Sequence, residues 1–198
     1  MGRIPRKTAH YKLAGSLQNA TMTAATLIRP SGADDVAAMT AIYAWHVAHG
    51  TGTFEIDAPP QAEIAARREA VLGRGLPWLV VESDGVVQGY AYAGPFRPRP
   101  AYRFCLEDSV YVAPGAARRG FGKLLLAELL ARCESGGARQ MLAVIGDSAN
   151  APSIGLHRGL GFEHVGTMKS AGWKFGRWLD VVVMQRSLGA GATSPAPA

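Results

Sequence analysis

One stretch near the middle of the chain narrows the choice of folds more than any other: Val110-Tyr-Val-Ala-Pro-Gly-Ala-Ala-Arg-Arg-Gly-Phe-Gly-Lys123. A strand ends near Val112, a loop turns, and a helix opens at Gly120. Phe121, Leu124, Leu125, Leu129 and Cys133 follow at helical spacing until Gly136-Gly137 stops the helix. Gln140 to Ile145 then has the unbroken apolar character of a buried strand. A strand–helix–strand unit of this length closes as a parallel pair with a right-handed crossover. All-helical and purely antiparallel folds are thereby excluded.

The other elements fit around that unit. Ala25 to Arg29 forms a short strand ended by Pro30, and Asp34 or Asp35 caps a helix with Val36, Met39, Ile42, Tyr43 and Val47 along one side. Pro59-Pro60 opens a second helix through Glu63 to Leu72. Trp78 to Glu82 and Val86 to Gly94 are strands of a hairpin turning at Asp84-Gly85. Tyr102 to Val112 reads as one long strand. After the central unit come a short helix from Pro152 to Leu160 and two strands, Glu163 to Met168 and Trp178 to Gln185. The expectation is an α/β domain over residues 25–188: one mixed, mostly antiparallel sheet with helices on both faces.

The formal charge of +6 is unevenly placed. Arg3, Arg6, Lys7 and Lys12 lie in residues 1–22 with no acid among them, whereas residues 23–187 hold seventeen basic and fifteen acidic groups. Residues 1–24 are expected to be a disordered basic tail and residues 189–198 a disordered low-complexity one. No apolar run approaches the roughly 20 residues of a membrane span. Two cysteines fit a reducing, cytoplasmic setting better than a disulfide scaffold. The domain lacks a basic stripe or recognition motif for nucleic acid. No Cys/His/Asp spacing suggests a metal.

The central turn is suited to a phosphate. Unpaired N–H groups and the positive end of the helix dipole meet at Gly120, Phe121 and Gly122, and Arg118, Arg119 and Lys123 add countercharge. The spacing is neither a Walker loop nor a dinucleotide fingerprint. A strand, an R/Q-x-x-G-x-G/A turn and a helix in this order of elements resemble the GNAT superfamily of acetyl-CoA-dependent N-acetyltransferases. Gly94-Pro-Phe-Arg-Pro-Arg-Pro-Ala-Tyr102, Glu107-Asp-Ser-Val-Tyr-Val112, Val144-Ile-Gly-Asp147, Leu156-His157 and Gly172-Trp-Lys-Phe-Gly-Arg-Trp-Leu-Asp180 extend the resemblance to its phosphinothricin and methionine sulfoximine acetyltransferase group, over about residues 27–188. One departure stands out: Ala117 occupies the Arg or Gln position that opens the turn.

The resemblance implies a sheet splayed at its central parallel pair and a direct transfer from acetyl-CoA, the cosubstrate, to the α-amine of a small amino acid. Phosphinothricin and methionine sulfoximine or sulfone are the implied acceptors. The alternatives are another amine, such as a protein N-terminus, and a non-enzymatic acyl-CoA or polyanion-binding module. Glu107 is implied as the base, in an apolar strand where burial raises its pKa. His157 is implied as a proton relay or donor, against a plain reading as a satisfied helix histidine. The backbone of Val110, Tyr111 and Val112 is implied to pair with the pantetheine arm as an added strand. Asn150 is either a cofactor contact or a helix cap. Arg97, Arg99, Tyr102 and Ser109 are implied to hold the acceptor, since guanidinium forks suit carboxylate and phosphinate oxygens. Lys174, Phe175, Arg177 and Trp178 either shape the pocket, across the homodimer the resemblance implies, or pack in the core.

Overall fold

The structure is a computed structural model and describes residues 26–195. The expected tail at 1–24 lies outside the described residues. Seven strands lie in the sheet order β1-β2-β3-β4-β5-β7-β6. They are β1 (Thr26–Pro30), β2 (Trp78–Ser83), β3 (Val86–Pro95), β4 (Cys105–Val112), β5 (Gln140–Gly146), β6 (Glu163–Lys174) and β7 (Arg177–Ser187). The helices are α1 (Val36–His49), α2 (Gln61–Leu72), α3 (Phe121–Ser135) and α4 (Ala151–Arg158). Every strand pairing is antiparallel except β4 with β5. The parallel pair is the one the central sequence unit demands.

Period-two alternation sorts side chains to two cores. Trp78 and Val80 of β2 face α1 and α2, packing with Tyr90, Met39, Tyr43 and Ile64. Leu79 and Val81 face the other way, onto Leu125, Leu126 and Leu129 of α3. Those three leucines have no exposed surface. Burial of each is worth about 1.5–3 kcal/mol, enough to clamp α3 across β2, β3 and β4.

Several boundaries differ from expectation. β4 starts at Cys105, not Tyr102, because the proline-rich stretch before it closes a 3-10 turn at Pro100–Tyr102, with Arg103 N–H donating to Pro100 O at 3.1 Å. β6 and β7 run on to Lys174 and from Arg177, so they form one long hairpin. α4 ends at Arg158, before Leu160. Residues 189–195 form turns, with Gly191 N–H on Leu188 O at 2.8 Å and Arg139 reaching the Gly191 and Pro195 carbonyls and Ser194 Oγ. The expected disordered tail is thus turn-forming up to residue 195.

Candidate active site

The sheet opens where β4 leaves β5. Register holds for Cys105–Gln140, Leu106–Met141 and Glu107–Leu142 and then ends. The gap beyond becomes a cleft of about 1120 Å³ between β4, β5, α1, the head of α3 and α4. Backbone parity decides which groups face it. Cys105 O accepts from Phe96 N–H, and Ala113 N–H donates to Gln88 O at 2.8 Å, so odd-numbered β4 residues bond toward β3. Phe104 O accepts from Arg139 and Gln140 on the β5 side, so even-numbered residues turn toward β5 and then into the gap. Val110 and Val112 therefore present their N–H and C=O groups to the cleft. Tyr111 does not; its backbone serves β3, and it contributes its ring, which packs edge-on to Tyr43 at 5.0 Å.

His46 fixes the lip of that strand. Its Nε2 lies 2.9 Å from Val112 O, and since a carbonyl only accepts, Nε2 carries the proton and donates. Burial lowers its pKa, against the raising effect of that hydrogen bond. His46 was not singled out from sequence. Its signal was its place four residues after Ile42 and three after Tyr43, on the apolar stripe of α1.

The mouth of the cleft is the head of α3. Arg118 (φ 63°) and Gly120 (φ 85°) are both left-handed, which reverses the chain sharply before Phe121. Gly120 takes that conformation without strain. The first N–H groups of α3 have no carbonyl ahead of them and point out of the helix end, where an anion is favoured. Phe121 is buried and supports the Arg119 guanidinium, 4.8 Å above its ring. Arg118, Gly120, Phe121, Gly122 and Lys123 all line the cleft, and so does Ala117. The residues present fit a nucleotide-tailed thioester: edge-strand donors for an extended arm, and a helix N-terminus with Arg118 and Lys123 on the cleft wall for a pyrophosphate, Arg119 standing just outside that wall. Asn150 is a cap. Its Oδ1 accepts from Ser153 N–H at 3.3 Å and its Nδ2 donates to Gly146 O at 3.4 Å, while the residue still borders the cleft.

Glu107 and Ser109 sit on the α1/α2 side of β4 and both line the cleft. Burial pushes the Glu107 carboxyl up, the Asp108 charge adds to this, and Arg97 opposes it. Asp108 points to the opposite face, as strand neighbours must. It is buried, and its Oδ2 lies 3.0 Å from His157 Nε2. His157 is itself only 4% exposed, and its Nδ1 lies 2.7 Å from Ser153 O. His157 thus borders the same cleft as Glu107, held by a partner not anticipated from sequence.

Arg97, Arg99 and Tyr102 are exposed on the segment flanking the Glu107 end of β4, outside the cleft wall. Arg97 lies over the Phe96 ring at 5.0 Å. Of the hairpin residues, Arg177 lines the cleft and donates to Asp147 Oδ2 at 2.6 Å. Lys174 is buried, and its Nζ donates to Gly50 O at 2.9 Å and Thr53 O at 2.8 Å. It thereby ties the α1–α2 loop, which forms one wall, to the sheet. Phe175 and Trp178 are exposed, Trp178 to 61% of its surface, so the reading of Trp178 as core is set aside. β7 alternation puts Leu179 inward and leaves Trp178 outward, edge-on to Trp173.

A sheet split at its parallel pair, with free backbone donors along one lip and a helix N-terminus at its mouth, defines an enzyme that transfers an acyl group from a coenzyme A thioester. The chain belongs to the acetyltransferase (GNAT) family, whose model matches residues 39–162. It is 56% identical to a phosphinothricin N-acetyltransferase of Alcaligenes faecalis over 161 residues, 81% of this chain and 82% of that protein. It is 40% identical over 169 residues to an L-methionine sulfoximine/L-methionine sulfone acetyltransferase of Pseudomonas paraeruginosa, covering 85% of this chain and 98% of that one. Among solved structures, a phosphinothricin acetyltransferase from Sinorhizobium meliloti in complex with AcCoA superposes with a TM-score of 0.85 at 47% identity, covering 89% of this chain and 94% of that one. Among the described residues no helix is long and apolar enough to cross a membrane.

Proposed function

We propose that the protein transfers the acetyl group of acetyl-CoA directly to the α-amine of a small amino acid carrying a tetrahedral phosphinyl or sulfonyl group, phosphinothricin and methionine sulfoximine or sulfone being the representative acceptors. The observation that carries this reading is a half-buried carboxylate, Glu107, beside a lip of free backbone donors, in a chain similar along most of its length to acetyltransferases for these compounds.

Each residue then has a task. Val110 and Val112 hold the pantetheine arm through backbone hydrogen bonds, and one of their N–H groups meets the negative charge developing on the thioester oxygen. The head of α3 with Arg118, Arg119 and Lys123 holds the pyrophosphate. Glu107 takes the amine proton, for which a carboxyl raised by burial is better matched than an exposed one. Arg97, Arg99 and Tyr102, with Ser109 on the wall, meet the acceptor's acidic groups as it approaches along the Glu107 side. The exposed Trp173, Phe175 and Trp178 form the homodimer surface. The enzyme works in the cytoplasm, needs no metal, nucleic acid or membrane, and confers resistance to such compounds.

Release of free CoA, measured over a panel of amino acids that includes phosphinothricin and methionine sulfoximine, tests the reading. Turnover with those two and loss of about 100-fold in kcat for Glu107→Gln are expected. Silence on every amino acid together with turnover on a peptide N-terminus would overturn the acceptor.

A further inference from the structure

Asp108 is the first β4 residue beyond the last β4–β5 pair, so its side chain stands at the apex where the sheet opens. Together with His157 of α4 it spans that apex, and both residues line the cleft. The proton count of this pair is fixed by its neighbours. His157 Nδ1 faces the Ser153 carbonyl at 2.7 Å, with Ser153 Oγ farther off at 3.5 Å. A carbonyl has no proton to give, so Nδ1 carries one. His157 Nε2 faces Asp108 Oδ2 at 3.0 Å, and a second proton must lie between them. The pair therefore holds one transferable proton between Nε2 and Oδ2.

A buried arrangement of this kind is not favoured for stability alone. Asp108 Oδ1 is buried with no hydrogen-bond partner among the described residues, and leaving such an oxygen bare is costly. The groups around the pair give little compensation. Leu106 and Val110 flank Asp108 on β4, and the Phe162 ring meets His157 edge-on at 5.0 Å. The titratable groups that face the pair are Cys133 of α3, a thiol pushed up to about 12 by burial and by the Asp108 charge, and Glu107 on the other side of β4. Neither is a cation whose repulsion would disfavour the second proton on His157.

We propose that Asp108 is a positioning residue for acetyl transfer: it keeps His157 doubly protonated at the apex, so that the pair, and not His157 alone, is the acid for the departing thiolate. The step rests on the function proposed above and balances. The amine nitrogen bonds to the acetyl carbon and gives one proton to Glu107. The carbon–sulfur bond breaks, its electron pair stays on sulfur, and sulfur takes the proton held by the pair. His157 is left neutral with its Nδ1 proton. The pair recovers a proton from solvent as Glu107 releases one.

Asp108→Asn is the deciding variant, because its amide can donate to Nε2 and leave a neutral imidazole with both ring nitrogens satisfied. With the best acceptor of the panel, kcat should fall about 100-fold. The alkaline limb of its pH profile should move to lower pH, and KM for acetyl-CoA should stay unchanged. The nitrogen NMR signals of His157 should show both ring nitrogens protonated at pH 7 in the wild type and one in the variant. An unaltered kcat and pH profile in a folded variant would overturn the proposal. If Asp108→Asn does not fold, the wild-type spectrum decides, and a singly protonated His157 at pH 7 would overturn it equally. A wild type that acetylates no amine refutes the proposed function instead, while the spectrum still reads the pair.

Discussion

Gly146 ends β5 under the α1–α2 loop, and a single methyl group there tests how that loop is seated. A Cβ on Gly146 would lie 2.1 Å from Thr51 O and 2.8 Å from Phe54 Cε1. Contacts under about 3.0 Å are not tolerated, so Thr51 must retreat by about 1 Å. β5 cannot yield in its place, since Gly146 is in register with Val181 of β7. Phe54 cannot slide aside either, because its ring already occupies the space where a Cβ on Gly172 would stand, 2.2 Å away. Gly146→Ala should therefore cost about 2 kcal/mol, the usual penalty for overpacking. In a domain of this size that lowers Tm by roughly 6 °C. The moved loop carries Thr51 and Thr53 of the cleft wall, and a displacement near 1 Å at a reacting site costs about 100-fold. Thermal melts and steady-state CoA release, with each substrate varied in turn, measure both effects. The loss should fall on kcat/KM for the amino acid, with KM for acetyl-CoA little changed. A variant with wild-type Tm and kinetics would refute the seating of the loop on β5; a defect confined to acetyl-CoA would assign the wall to the other substrate.

Lys174→Met should leave the Gly50 and Thr53 carbonyls unpaired, destabilise the fold by about 3 kcal/mol in denaturant titration, and raise KM for the amino acid. Asn150→Ala should remove the α4 cap, at about 1 kcal/mol or roughly 3 °C in a melt. The Arg29 hydrogen bond, against burial and with help from Gly32 N–H, holds the Asp35 carboxyl below its usual range. Its contribution is therefore complete above the unfolded value near 3.9 and is lost as pH falls through the lower folded value. Asp35→Asn should cost about 2 kcal/mol at pH 7, and its melting curve should converge on the wild type's as pH drops below about 4.

How much of this was legible in the sequence depended on the distance along the chain over which each feature is decided. The turn from Ala117 to Gly122 is local, a left-handed glycine before a helix end, and it was read directly. So was the Asp84-Gly85 hairpin, where both residues adopt positive φ. Asp108 and His157 are 49 residues apart, and nothing in either neighbourhood announces the other. Lys174 meets loop carbonyls 124 and 121 residues before it, and a lone lysine among aromatics signals no partner. Tyr102-Arg-Phe continues into β4 as a strand-like run, whereas the prolines ahead of it set a tight turn and β4 starts only at Cys105. Trp178 was open to a core reading because aromatic residues usually supply buried area; here they stand on the outer face of a long hairpin.

The docking of Phe54 onto Gly146 and Gly172 also sets an order of assembly. The thioester half of the cleft is complete once β4, α3, β5 and α4 have been made. The wall formed by residues 50–54 meets β5 at Gly146, but its contacts with Gly172 and Lys174 cannot form until the β6–β7 hairpin exists, more than a hundred residues later. Such long-range closures form late, since the loop entropy must be overcome before the contact rewards it. Pulse-labelled hydrogen exchange during refolding should never find residues 50–54 protected before residues 172–174. On the ribosome, the growing chain would acquire the seat for its donor before it can enclose an acceptor.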